Sequence, residues 1–175
     1  MNIIILVIVL ALAVILVLAA SKPKHFSIER RITVQATPEK VEPLVEDFHQ
    51  WEHWSPWAKL DPNMDVTYSG PDKGVGAVYE WLGDKKVGQG RMEITAASTN
   101  SVEVKLDFIK PFAANNITEF HFTPVGDSAT EVRWHMHGPS PFVSRVFGVF
   151  MNMDKMIGKD FEKGLADLKR KAESA

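Results

Sequence analysis

The chain has 175 residues, with 20 basic side chains against 22 acidic ones and no cysteine. A balance this close to neutral offers no field for a polyanionic partner, so nucleic-acid binding is disfavoured. The missing cysteines exclude disulfides, thiolate metal sites, a cysteine nucleophile and a lipidated-cysteine anchor.

The first element is the run Ile3 to Ala20, built only from Ile, Leu, Val and Ala; all 42 charged residues follow it. As a helix this run of 18 residues spans about 27 Å at roughly 1.5 Å per residue, close to the bilayer core of about 30 Å. A helix is the required form, because backbone polar groups in lipid must satisfy one another. A signal peptide is the rival reading, with Val17-Leu18-Ala19 as a tolerable cleavage signal. No Lys or Arg precedes the run, however, and it is long for a signal's apolar region. Lys22, Lys24, Arg30 and Arg31 lie just beyond the span. By the positive-inside tendency this predicts a single-pass anchor with a cytoplasmic C-terminal domain, the alternative being export behind a signal peptide or anchor. The expected organisation is an anchor over residues 1–21, a linker over 22–25 with Pro23 stopping the helix, and one domain over 26–175.

Within that domain, Phe26 to Ala36 alternates as a strand with a polar face. Thr37-Pro38-Glu39 is a helix start, with a capping residue, a proline at the first helical position and an early acid. Helical spacing continues through Val41, Leu44, Val45 and Phe48, followed by the aromatic segment Trp51-Glu52-His53-Trp54-Ser55-Pro56-Trp57. Then come six predicted strands: 64–69, 76–82, 86–97, 101–108, 116–123 and 130–138. Gly70-Pro71-Asp72, Gly83-Asp84, Thr99-Asn100 and Gly126-Asp127 punctuate them. Ala77, Tyr79 and Trp81 share a face, as do Met92 with Ile94, Val102 with Val104, Leu106 and Phe108, Phe120 with Phe122, and Val132, Trp134 and Met136. The other face carries Arg91, Glu93, Glu103, Lys105, Glu131 and Arg133, so one side of the sheet is apolar and the other wet. A long helix over 141–173 closes the chain. Phe150, Met153, Ile157, Phe161, Leu165 and Leu168 form its apolar stripe. Gly158 and Gly164 interrupt it, each costing about 1 kcal/mol of helix propensity, which implies close approach to the sheet or free volume beneath the helix.

Several segments carry a family resemblance. Ile32-Thr33-Val34-Gln35-Ala36-Thr37-Pro38-Glu39-Lys40-Val41 is similar to the opening strand and helix of the START-like, helix-grip (SRPBCC) superfamily, in its polyketide cyclase/dehydrase-like branch. Trp51 to Trp57 resembles that family's tryptophan-rich connection. Gly74-Val75-Gly76, Gly88-Gln89-Gly90 and Phe108-Ile109-Lys110-Pro111-Phe112 resemble its strand pattern. Trp134-His135-Met136-His137-Gly138 and Met153-Asp154-Lys155-Met156-Ile157-Gly158, extended by Phe161-Glu162-Lys163-Gly164-Leu165, resemble its closing strand and grip helix. The resemblance covers 26–172. It implies an α+β fold in which a curved antiparallel sheet of about seven strands wraps a long C-terminal helix, with two short helices after the first strand and the transmembrane helix separate. It also implies a cavity between sheet and helix for an apolar molecule. Fold alone does not supply chemistry.

The expected lining of that cavity is Trp54, Trp57, Tyr79, Trp81, Met92, Phe120, Trp134, Met136, Phe150, Met153, Ile157 and Phe161. Rings with polar tips can orient an apolar ligand, and methionines adapt to variable shapes; both also fill ordinary cores. His135 and His137 alternate on one strand and read as solvent-side residues, with His121 the evident third ligand were zinc to bind. No metal and no cofactor is expected. His53, among tryptophans, reads as a boundary histidine or a group at a pocket mouth. A cyclase or dehydratase needs a proton donor and acceptor at the substrate. No carboxylate pair falls on the inner face, where Glu80 and Asp154 look peripheral, which leaves Tyr79 and His53 as the weak catalytic candidates. Gly74-Val75-Gly76 and Gly88-Gln89-Gly90 read as bends, not nucleotide loops. The leading expectation is a membrane-anchored binder of a lipid or other apolar small molecule. The alternatives are a cyclase/dehydratase-like enzyme, or a tethered interaction scaffold with a filled core.

Overall fold

The computed structural model describes residues 2–61 and 63–174. In chain order the elements are α1 (Ile3–Ser21), β1 (His25–Val34), α2 (Pro38–Val41), α3 (Pro43–Glu46), a single 3-10 turn (Phe48–Gln50), α4 (Trp51–Trp54), β2 (Asp65–Ser69), β3 (Val78–Leu82), β4 (Gln89–Ser98), β5 (Ser101–Lys110), β6 (Ala114–Val125), β7 (Ala129–Pro139), α5 (Phe142–Phe150) and α6 (Met153–Glu173). The seven strands form one antiparallel sheet in the order β1-β7-β6-β5-β4-β3-β2. α6 runs alongside β1 and across the apolar face, and the short helices close the same face, which is the helix-grip arrangement.

The strand phases follow the alternation. Ile94, Val102, Val104, Phe120, Phe122, Val132 and Trp134 are buried, whereas Arg91, Glu93, Glu103, Lys105, Glu131 and Arg133 sit on the wetter side. One inward-phase residue of β1 breaks the apolar pattern. Arg30, at the sheet edge, donates from Nε to Glu162 at 2.8 Å and from Nη1 to Asp154 at 3.0 Å. Asp154, Gly158 and Glu162 lie four apart on one stripe of α6, so the guanidinium bridges two carboxylates across the bare backbone of Gly158. Gly164 plays the matching part deeper in, where α6 rests on the Trp134 ring and Pro56.

Two helical expectations are corrected. The stretch from Thr37 to Phe48 is broken at Pro43, which lacks the N–H that would continue α2 and instead starts α3. The single C-terminal helix over 141–173 is two helices, with Met151 extended between them and the Asn152 side chain accepting from the Lys155 N–H to start α6. This break matters for the site, because it turns α5 away from the sheet and against the last turns of α1. Of α1 only Ala19 is buried, and the helix is long and apolar enough to cross a membrane.

Candidate functional site

The space between sheet and α6 is occupied by the protein's own rings. Trp134 stacks on Phe161 with centroids 4.0 Å apart and planes 6° from parallel. Trp57 and Trp54 meet Trp134 edge-on at 5.8 and 5.6 Å, and Phe120 lies 4.9 Å from it. Four of the five indole N–H groups are engaged internally. Trp54 donates to the Leu44 carbonyl, Trp51 to Val45 and Trp81 to Val87, while Trp134 donates to Thr118 Oγ1 at 2.8 Å. Polar tips of this kind fix a core and are not free to orient a ligand.

Ten of the twelve expected lining residues come together here. Trp54, Trp81, Met92, Phe120, Trp134, Met136 and Phe161 are buried, and Trp57, Tyr79 and Ile157 pack against them half-buried. Phe150 and Met153 do not join them. Phe150 is 69% exposed and Met153 40%, because the break at Met151 carries the end of α5 outward and starts α6 beyond the sheet's edge. Two hollows occur elsewhere. A shallow groove of about 330 Å³ lies at the C-terminal end of α6, and a crevice of about 80 Å³ lies between the Phe48–His49 turn and the strand β2 with its following loop. The crevice is well below the few hundred Å³ of a typical small-molecule pocket.

One buried atom in the interior wall is left over. Asn116, 6% exposed, has a side-chain oxygen without a hydrogen-bond partner among the described residues. It points inward from β6 in phase with Thr118 and Phe120, beside Leu106 of β5, and passes over Gly138, where any β-carbon would collide with it. In the sequence Asn116 stands only as the start of the strand over 116–123. The available signal was its phase, since an amide two and four residues before Thr118 and Phe120 falls on the apolar face.

The catalytic candidates are not brought together. Tyr79 is flanked by Phe48, Tyr68 and Trp81, and burial pushes its phenol up to about 12, so it stays protonated at neutral pH and can donate a hydrogen bond but not act as a base. His53 lies toward solvent with Nε2 3.6 Å from Glu52, and no hydrogen bond or ring contact joins it to Tyr79 among the described residues. On the outer face, His135 Nδ1 lies 3.0 Å and His137 Nε2 3.6 Å from one oxygen of Glu119, with Ser27 Oγ 2.9 Å from the other nitrogen of His135. Glu119, not His121, is thus the third group of the cluster that a divalent cation would find.

The comparisons agree with this geometry. A protein of unknown function from Staphylococcus aureus is similar over 86% of this chain and 94% of its own, at 13% identity and TM-score 0.63. Norcoclaurine synthase from Thalictrum flavum, solved with dopamine and hydroxybenzaldehyde, is similar over 87% and 88%, at 10% identity and TM-score 0.60. The Aha1 dimer protein of Colwellia psychrerythraea is similar over 85% and 96%, at 18% identity and TM-score 0.56. At such identities these likenesses speak for the fold alone. No curated protein matches the sequence. The family model for polyketide cyclase / dehydrase and lipid transport matches residues 25–173, and the chain belongs to that family.

Proposed function

We propose that this chain is a membrane-tethered binding protein for an apolar molecule carrying one hydrogen-bond donor, taken up between the sheet and α6. The observation that carries the reading is Asn116 Oδ1, an acceptor without a partner among the described residues in an interior lined mainly by apolar and aromatic side chains. A buried polar atom left without a hydrogen bond costs roughly 1–3 kcal/mol, and a ligand hydroxyl or N–H placed against it would recover that cost. Family membership supports an apolar ligand, and a similar protein solved with dopamine and hydroxybenzaldehyde is a relevant precedent for the fold. In this reading residues 3–20 hold the domain, residues 26–175, at the bilayer where such ligands partition, with the domain on the cytoplasmic side by its flanking lysines and arginines. The interior is filled here, so uptake requires α6 to carry Phe161 off the Trp57 and Trp134 rings.

The filled interior favours a second reading, a tethered domain whose task is protein association. Mass spectrometry of the full-length protein extracted in detergent separates the two. A near-stoichiometric apolar species that is lost in Asn116→Leu supports the binder. A preparation free of such species overturns it in favour of association.

A further inference from the structure

α5 is apolar on both of its sides. Val146, Gly148 and Val149 are half-buried, while Phe142, Val143, Phe147 and Phe150 face outward at 43%, 60%, 50% and 69% exposure. A nine-residue helix with four large hydrophobes on its outer side is a poor surface for water. Its position is fixed by Arg145, whose Nη1 lies 3.4–3.5 Å from the carbonyl oxygens of Ala19, Ala20 and Lys22. These are the carbonyls at the C-terminal end of α1 and just past it. α5 therefore lies at the level where the apolar helix α1 ends and the charged linker begins.

The strand register places further groups at the same end of the molecule. β1 begins at His25 opposite Pro139, and β6 begins next to where β5 ends, so the β5–β6 turn belongs to this end. The β3–β4 loop belongs there too, since Gln89 pairs with both Leu82 and Lys110. The β5–β6 turn presents Ile109 at 48% and Phe112 at 72% exposure. Lys22, Lys24, Lys85, Lys86 and Lys110 belong to this end of the chain, with Asp61, Asp65, Asp84 and Asp107 as its acids. Apolar tips at an end that also carries lysines match the two layers of an anionic bilayer surface, acyl boundary and headgroups.

We infer that α5 and the β5–β6 turn form a second membrane contact, an interfacial face that lies on an anionic phospholipid surface beside the span of α1. This rests on the reading of α1 as a membrane anchor. It would lay the domain down on the bilayer in one orientation, with the start of α6 next to the lipid, where a tether of a few linker residues alone would leave the domain free to turn.

The cysteine-free chain permits clean single-site labelling. An environment-sensitive dye is attached to Phe150→Cys, Phe112→Cys, Leu10→Cys in α1 and Val75→Cys at the opposite end of the sheet. Each full-length variant is reconstituted in phosphatidylcholine–phosphatidylglycerol vesicles whose acyl chains carry a quencher. The expected result is strong quenching at Leu10, several-fold greater quenching at Phe150 and Phe112 than at Val75, and a loss of that difference at positions 150 and 112 when phosphatidylglycerol is omitted and salt is raised. Quenching at Leu10 with Phe150 and Phe112 no better quenched than Val75 overturns the interfacial face and leaves the anchor standing. Absence of quenching at Leu10 overturns the anchor reading, and the interfacial face falls with it.

Discussion

Replacing Gly164 by alanine adds one methyl group where α6 lies on the interior. An ideal β-carbon there sits 2.9 Å from Trp134 Cζ3 and 3.0 Å from Pro56 Cδ. Neither neighbour yields easily. Trp134 is pinned by its N–H bond to Thr118 and by its stack with Phe161, and the Pro56 ring has no rotamer to change. Overpacking a core in this way costs typically about 1–3 kcal/mol, against a gain of about 1 kcal/mol of helix propensity. The net expectation is a loss of up to about 2 kcal/mol. Gly158→Ala is the internal control. There the obstacle is the Arg30 guanidinium, which can swing aside at the expense of two part-exposed ion pairs worth about 0–1 kcal/mol each, so the change should be close to neutral. Urea unfolding of the full-length protein in micelles, followed by tryptophan emission, reads both through the midpoint at constant slope. If Gly164→Ala is stabilising by its full propensity gain, there is room under α6, and the filled interior described above is wrong.

Three further outcomes are expected. Asn116→Leu, which removes the unpartnered oxygen while keeping the side chain's branching, should stabilise the ligand-free protein by roughly 1–3 kcal/mol in the same unfolding assay; a loss of stability would show that the amide already has a partner or that the larger side chain does not fit. Burial raises the Tyr79 phenol to about 12, so its neutral form is favoured in the folded state. That contribution is intact below the ordinary tyrosine value of about 10 and is lost as pH rises toward the folded value, so Tyr79→Phe should flatten alkaline unfolding in this range. The hydrogen bonds and charge of Arg30 hold the Asp154 carboxyl below the usual carboxylate range. Its contribution is therefore present above about pH 4 and disappears as pH falls below that; Asp154→Asn should remove this acid limb, and added salt should shrink it because the pair is part-exposed.

The alternation of Val102, Val104, Phe120, Phe122, Val132 and Trp134 was enough to assign the sheet and its inner face, because a period of two admits only one side to the core. The apolar run of α1 and the proline and glycine punctuation were equally local signals. What local pattern could not separate was a buried ring lining a cavity from one filling a core. That distinction depends on which rings from α4, β7 and α6 meet, as Trp54, Trp134 and Phe161 do, and on where the indole N–H groups find acceptors.

The helical stripe from Phe150 to Leu168 shows the same limit from the other side. Its spacing is continuous and reads as one helix, which the structure breaks at Met151 and Asn152. Only the tertiary structure decided that Phe150 and Met153 belong outside, because α5 has an alternative apolar surface in α1, more than a hundred residues away in the chain. Arg30 and Asn116 make the point with polar groups: one inward-phase residue finds two carboxylates across a glycine, and the other finds no partner. Periodicity fixes the direction of a side chain relative to its own backbone. What it meets there is set by long-range packing, which no single segment encodes.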